Sequence, residues 1–442
     1  MKITKIETNL KRGLYLKETE IKHTKPYDGK PENNVLNIYK NLELQSIIGF
    51  GGAFTDATCY MLNKMSEENR NKILDDYFNK DGFNYSICRL TIGSSDFNQK
   101  SYSYSYKNDL SDFNINEDLN YIIPIIKLAQ ERNKDLKFIA SPWSPPAFMK
   151  SNKMLKLGGR LIKKYYSTWA EYLARYVMEY RNYGISIDYM TIQNEPNATQ
   201  IWESCKFSAE EEATFLKQYL YPTFQKYNLN TKFIVWDHNK DNIVNRNIDT
   251  LVKYGALDYA DGIAYHWYSG THYENLQILH NLFPNKLLIH TEGCTGYSKF
   301  KPEDELFNSE MYASQIIGDF NSSANAFIDW NMVLDFHGGP NHLRNYCNSP
   351  IMMNRDNTEI IKTPTYYYLA HFSKYIKPEA KRIAFSRFTE DINMTAFKNQ
   401  DDSIVVVLLN KNNYNIEYNL CFNGQYFHDN LDSKAIVTFI IK

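Results

Sequence analysis

Short apolar runs recur through the middle of the chain, separated by longer stretches. They are Ser46–Gly52, Tyr85–Ile92, Lys137–Trp143, Tyr189–Glu195, Lys232–His238, Gly262–Tyr268, Lys286–Glu292 and Ala326–Met332. Near-continuous apolarity, rather than alternation, predicts parallel strands covered on both faces. The segments between them carry a helical period. In Arg160–Tyr183, the clearest, Trp169, Tyr172, Leu173, Tyr176, Val177 and Tyr180 follow i, i+3, i+4, i+7 spacing. Others are Ser66–Asn79, Leu119–Arg132, Ser208–Lys226, Asn245–Tyr254, Glu310–Phe320 and roughly Thr365–Tyr375. Ser66 with Glu68 nearby, and Ser208 with Glu211 three residues on, predict helix N-caps. Eight strands alternating with helices predict an α/β fold, a (β/α)8 TIM barrel over residues 44–376. The alternative, a doubly wound open sheet, lacks its Gly-rich phosphate turn after any strand.

The two ends read differently. Residues 1–43 look like short strands and turns. Residues 377–442 hold Ile383–Phe388, Ile392–Phe397, Ile404–Leu409, Ile416–Cys421 and Ala435–Ile441, separated by Asn, Asp and Gly. That pattern predicts a small antiparallel β-sandwich side domain. The N-terminal segment joins it in this reading, because a terminal strand needs a sheet to be ordered.

Composition changes the picture mainly by exclusion. With 43% hydrophobic and 23% charged residues in 442, the chain is an ordinary globular mix. Lys+Arg 50 against Asp+Glu 51 gives no general electrostatic grip on nucleic acid or anionic lipid. No run of about 18 apolar residues predicts a membrane span. The N-terminus lacks the apolar stretch of a signal peptide, so a cytoplasmic protein is expected. Six cysteines, at 59, 88, 205, 294, 347 and 421, contain no C-x-x-C pair. They read as reduced, mostly buried thiols, with no structural zinc site.

A TIM barrel gathers its chemistry at the C-terminal ends of its strands. Those ends offer Asp96, Trp143, Asn194 with Glu195, Asp237 with His238, His266 with Tyr268, Glu292, and Trp330 with Asn331. Two carboxylates facing each other across a barrel mouth suit glycoside hydrolysis. At about 5 Å and an effective dielectric near 20, their repulsion is about 3 kcal/mol, or roughly 2 pKa units. That is enough to make one of them an acid near neutral pH. The tryptophans fit, because the CH-rich face of a sugar packs on an indole.

Each residue also has a plain structural reading. Asn-Glu-Pro is usually a turn, a lone tryptophan is usually core, and Asp96 can cap the segment that follows it. His266, His272 and His290 make no recognisable metal spacing, so no metal is expected. Asp237–His238 hints at a nucleophile triad, but no G-x-S-x-G elbow supplies the serine. Seven of eight strand ends rich in such residues are poorly explained by seven coincidences.

The motifs GFGGAFTDA (Gly49–Ala57), RLTIGSSDF (Arg89–Phe97), SPWSPPAFMK (Ser141–Lys150), TIQNEPNA (Thr191–Ala198), GIAYHWY (Gly262–Tyr268), HTEGC (His290–Cys294) and GGPNH (Gly338–His342) occur in order. So does TPTYYYLAHFSKYIKPEAKRI, at residues 363–383. Together they resemble glycoside hydrolase family 30, most of all its glucosylceramidase-like bacterial branch. The resemblance implies a retaining β-glycosidase on a (β/α)8 barrel, with a β-sandwich side domain built from both chain ends.

By that resemblance Glu195 is the acid/base and Glu292 the nucleophile. Asn194 holds the 2-hydroxyl, and Asp96 and Trp143 contact the distal hydroxyls of the glycone. Trp330 walls the subsite, and His266 and Tyr268 orient the catalytic pair. Arg89 holds a carboxylate ionised, and Asn331 is a weaker match. Thr91 stands where the family often has Pro.

The expected activity is exo-hydrolysis of β-glucosides by double displacement, without a cofactor, on a small carbohydrate or glycolipid substrate. The alternatives are the same chemistry on a β-xyloside, β-fucoside or β-1,6-glucan, or a carbohydrate-binding protein without catalysis. The loops 100–112 and 297–307 are candidates for shaping the aglycone site. The first, with its SYSYSY stretch, reads equally as a polar surface loop.

Overall fold

The computed structural model describes residues 2–296 and 304–442. Eight parallel strands close into a barrel: Gly49–Phe54, Ile87–Ile92, Lys137–Pro142, Tyr189–Thr191, Lys232–Asn239, Gly262–His266, Leu287–Glu292 and Ala326–Asn331. These are the apolar runs of the sequence, most of them trimmed by a few residues, the first shifted to end at Phe54 and the fifth extended to Asn239. Their continuity has a simple cause. One face of each strand packs inside the barrel, where Ile87, Ile139, Ile234, Ala264, Ile289 and Ile328 form a closed cluster. The other face meets the surrounding helices, which share a single large core with it.

The helices start as their caps dictate. Ser66 accepts from the Asn69 N–H at 3.2 Å. Ser208 and Glu211 form a reciprocal capping box at 3.1 and 2.7 Å. Two helices are absent from the sequence reading, Asp56–Lys64 and Tyr273–Leu282. The second buries only Leu276 and Leu279, too few to set a period. The segment 208–226 is one helical rod, but a π-helical stretch, Leu216–Leu220, interrupts it just before Pro222. Proline lacks the N–H that would continue the α-ladder, and, one residue on, the Thr223 hydroxyl donates to the Tyr219 carbonyl at 2.7 Å.

The chain ends build a ten-stranded sheet that folds over on itself as a sandwich. The strand Val35–Ser46 pairs antiparallel with Lys381–Arg387, so the sheet reaches Ser46 and the barrel begins at Gly49. One pairing departs from the antiparallel expectation: Val35–Asn37 runs parallel to Asn419–Cys421. Ile3–Asn9 lies between Leu14–Ile21 and Ala435–Ile441.

The strand Ile404–Asn410 is buried along its whole length. Ile404, Val406 and Leu408 enter the sandwich core, while Val405, Val407 and Leu409 join the barrel-side core. A continuous apolar run is therefore needed here even in an antiparallel sheet. The sheet thus backs directly onto the barrel.

Candidate active site

The nine residues to which the family resemblance gives a firm catalytic, binding or supporting role meet at the C-terminal mouth of the barrel. Seven of them, Asp96, Trp143, Asn194, Glu195, Tyr268, Glu292 and Trp330, line a cavity of about 670 Å³. His266 and Arg89 lie fully buried behind that lining.

Arg89 organises the floor. It points inward from the second barrel strand, and five hydrogen bonds use its planar fork. Nε donates to Ser141 Oγ at 3.2 Å. Nη1 donates to Glu292 Oε2 at 2.6 Å and to the Thr291 carbonyl at 3.4 Å. Nη2 donates to Asn194 Oδ1 at 2.9 Å and Asp237 Oδ2 at 2.8 Å. The guanidinium also sits 4.8 Å from the ring of Trp143 and 5.7 Å from that of Trp330. The two indoles stack, 5.3 Å apart and 21° from parallel.

His238, which lines the cavity, and Asp237 were both named from the sequence without a role; Asp237 is fully buried. It accepts from Arg89, from Thr191 Oγ1 at 2.7 Å and from Thr291 Oγ1 at 2.6 Å, and it pairs with His266 Nε2 at 3.1 Å. Burial works against its charge, but Arg89 and His266 outweigh it and hold the carboxyl far below its ordinary range. Its signal was present in the sequence as a polar residue ending an apolar strand.

Glu195 stands on left-handed backbone, φ 46°, and its N–H is held by the Asp237 carbonyl at 2.9 Å. Its Oε1 is 3.3 Å from His266 Nδ1, and its Oε2 receives Gln200 Nε2 at 3.5 Å. Tyr268 donates to Glu292 Oε1 at 2.9 Å. One carboxylate oxygen of Glu195, one of Glu292 and a ring nitrogen of His266 all lie within 4.8 Å of one another.

The electrostatics follow from this crowding. Burial alone would depress His266, but the charges of Glu292, Asp237 and Glu195 raise it to about 9. The protonated ring is therefore favoured near neutral pH. Burial also presses on both glutamates. In Glu195 the hydrogen bond and charge of His266 win and hold the carboxyl low. In Glu292 burial wins over His266 and Arg89, and the carboxyl is raised. Asp96, tied to Asn345 Nδ2 at 2.9 Å, is pushed to about 8 by burial and then by the charge of Glu292.

Some lining residues come from segments with no sequence signal. Gln200 and Trp202 follow the fourth strand, and Asn345 and Cys347 follow the eighth. Asn331 accepts from the Thr55 hydroxyl at 2.6 Å, inside the protein. The loop 100–112 does not line the cavity. Tyr102 and Tyr104 turn inward and donate to the buried Asp118 at 2.9 and 2.6 Å, while Tyr106 is exposed. Of the second candidate loop, residues 297–303 lie outside the described residues. Phe307 beyond them lines the cavity and is exposed.

A Caenorhabditis elegans relative provisionally named glucosylceramidase 4 is 34% identical over 434 residues, covering 92% of this chain and 82% of its own. The lysosomal acid glucosylceramidase of Mus musculus is 30% identical over 403 residues, covering 86% and 78%. Among solved structures, SrfJ from Salmonella typhimurium superposes over 100% of both chains with a TM-score of 0.97 at 30% identity. The endo-β1,6-glucanase BT3312 superposes over 99% of both with a TM-score of 0.90 at 28% identity. Residues 47–376 match the glycosyl hydrolase family 30 TIM-barrel domain, and residues 379–439 match the family's β-sandwich domain. The chain is a glycoside hydrolase and belongs to family 30.

Proposed function

We propose that the protein is an exo-acting retaining β-glycosidase that hydrolyses β-glucosides, with Glu292 as nucleophile and Glu195 as acid/base. One observation carries the stereochemical reading. Oxygens of the two carboxyls approach within 4.8 Å, and both residues line one cavity. Retaining enzymes hold their carboxyls about 5–5.5 Å apart, whereas inverting ones leave about 6.5–9.5 Å for a water.

The roles follow from the partners. Burial raises the Glu292 carboxyl, and two donors, Arg89 and Tyr268, counter it by favouring the anion and aiming it. It attacks the anomeric carbon as the bond to the aglycone oxygen breaks. Glu195 gives that oxygen a proton, then takes one from the water that releases the sugar. In the substrate-free pocket His266 holds this proton, 3.3 Å from Glu195 Oε1, and passes it across when the leaving oxygen arrives. The amide of Asn194, its Oδ1 engaged by Arg89, keeps its N–H groups for the 2-hydroxyl. Asp96 takes distal hydroxyls, and Trp143 and Trp330 take the sugar face.

The similarity to glucosylceramidases supports a glucose glycone. Trp202, Phe307 and Met311 in the cavity wall suit an apolar aglycone. A second reading, endo-cleavage of β-1,6-glucan, is favoured by the likeness to BT3312 and by an endo-1,6-β-D-glucanase of Neurospora crassa, 28% identical over 352 residues.

The test is an activated 2-deoxy-2-fluoro-β-glucoside, read by intact mass and peptide mapping. A stable adduct on Glu292 is expected. An adduct elsewhere, or none in folded protein, refutes the assignment. Incubation with linear β-1,6-glucan separates the readings: oligosaccharide products favour the second, and glucose alone the first.

A further inference from the structure

Two of the six cysteines meet in the wall of the catalytic cavity. Cys294 lies two residues past Glu292, and Cys347 lies in the segment after the eighth barrel strand. Their sulfurs are 3.3 Å apart, although 53 residues separate them in sequence. Both are free thiols, Cys294 partly exposed and Cys347 buried. The backbone holds the two segments together beside them: Gly296 and Cys347 form an antiparallel bridge, and the Asn348 N–H donates to the Thr295 carbonyl at 2.9 Å. The other cysteines, Cys59, Cys88, Cys205 and Cys421, are buried in the protein and absent from the cavity lining.

We propose that Cys294 and Cys347 are an oxidisable pair whose disulfide slows turnover at the adjoining site. The approach required is small, from 3.3 Å to the ~2.0 Å of an S–S bond. The oxidant is a low-molecular-weight disulfide small enough to enter the cavity. The Cys294 thiolate, the accessible one, attacks one sulfur of it, and the first thiol leaves. Cys347 then attacks the Cys294 sulfur, the Cys294–Cys347 bond forms, and the second thiol leaves. The two protons of the cysteines end on the two released thiols, so one disulfide is reduced for each one formed. Buried thiols far from the cavity are out of reach of the same reagent.

The consequence for turnover comes from two neighbours. Cys294 Sγ lies 3.5 Å from the Tyr268 hydroxyl, which donates to Glu292. Asn345, two residues before Cys347, holds Asp96. Drawing the sulfurs together pulls on both contacts at once.

The experiment treats the full-length protein with glutathione disulfide, then blocks remaining thiols and maps peptides. We expect a 294–347 cross-link, loss of two blockable thiols, and kcat/KM lowered about fivefold, the effect of weakening one hydrogen bond at the site. Dithiothreitol should restore the rate. Cys294→Ser and Cys347→Ser, each compared with its own reduced form, should lose the response. Absence of the cross-link in the unaltered protein overturns the proposal, as does a cross-link that leaves kcat/KM unchanged. Equal inhibition of the serine variants overturns it too. The cross-link is read by mass, so it stands or falls apart from the choice of substrate.

Discussion

Arg89 and Asp237 form an ion pair with no solvent contact, Nη2 to Oδ2 at 2.8 Å, directly beneath the two glutamates. Glu292 takes the other arm of the same guanidinium. The pair thus transmits the position of the fifth strand to a carboxylate on the seventh.

Removing one member of a buried pair leaves the other charge uncompensated. Asp237→Asn is expected to destabilise the fold by about 3 kcal/mol, measured by urea unfolding. It should also lower kcat more than it changes KM, because Asp237 touches Arg89 and His266 but does not line the cavity. An unchanged kcat in folded Asp237→Asn protein would show that Arg89 needs no second anion.

Glu195→Ala should separate substrates by leaving group. An alkyl glucoside needs a proton on its departing oxygen and should lose about 10²–10⁴ in rate. An aryl glucoside with an acidic phenol should lose far less. Equal losses for the two would remove Glu195 from the role of acid.

The pH profile tests the proton held by His266. The folded value is raised, to about 9, so the ring is charged below that and neutral above it. In the unaltered protein the alkaline limb of kcat/KM should fall near pH 9. In His266→Gln the proton for the leaving oxygen must be held by Glu195 itself, freed of the His266 charge that lowers it, and the limb should move to lower pH by more than about one unit. The stability contributed by charged His266 is complete below its unfolded value of about 6.5 and is lost as pH rises through about 9. His266→Gln should flatten that decline.

Trp330→Leu removes one of the two stacked indoles while keeping apolar bulk. The loss of about 1.5 kcal/mol of aromatic contact predicts a roughly tenfold rise in KM. Trp330→Phe should keep most of the affinity. Steady-state kinetics on one β-glucoside decide it.

The barrel was legible in the sequence because both faces of its strands are covered, and Ile139 or Ile289 read the same whichever face they occupy. The candidate site at the barrel mouth was legible as a cluster because strand ends such as Glu195 and Glu292 interrupt those runs with charge. What was hidden is long-range. Asn345 reaches Asp96 across 249 residues, and Cys347 reaches Cys294 across 53, both from loops without periodicity. Asp237 was visible, but its value lies in four simultaneous partners, which no local pattern records. The π-turn at Leu216–Leu220 and the helix Tyr273–Leu282 were missed because propensity and period are weak where few residues are buried.

The strand pairing of Ile3–Asn9 with Ala435–Ile441 has a consequence for synthesis. Ile3–Asn9 precedes the barrel strands in the sequence and Ala435–Ile441 follows them, so the earlier strand stays half-partnered while the whole barrel is made. Every barrel strand emerges before that partner exists. Assembly is therefore ordered in time, with the sheet domain closing after the barrel strands are made and sealing the barrel's flank through Val405, Val407 and Leu409. A ribosome stalled within Ala435–Ile441 would hold a fully synthesised barrel beside an open sheet edge, the kind of surface that chaperones and proteases recognise.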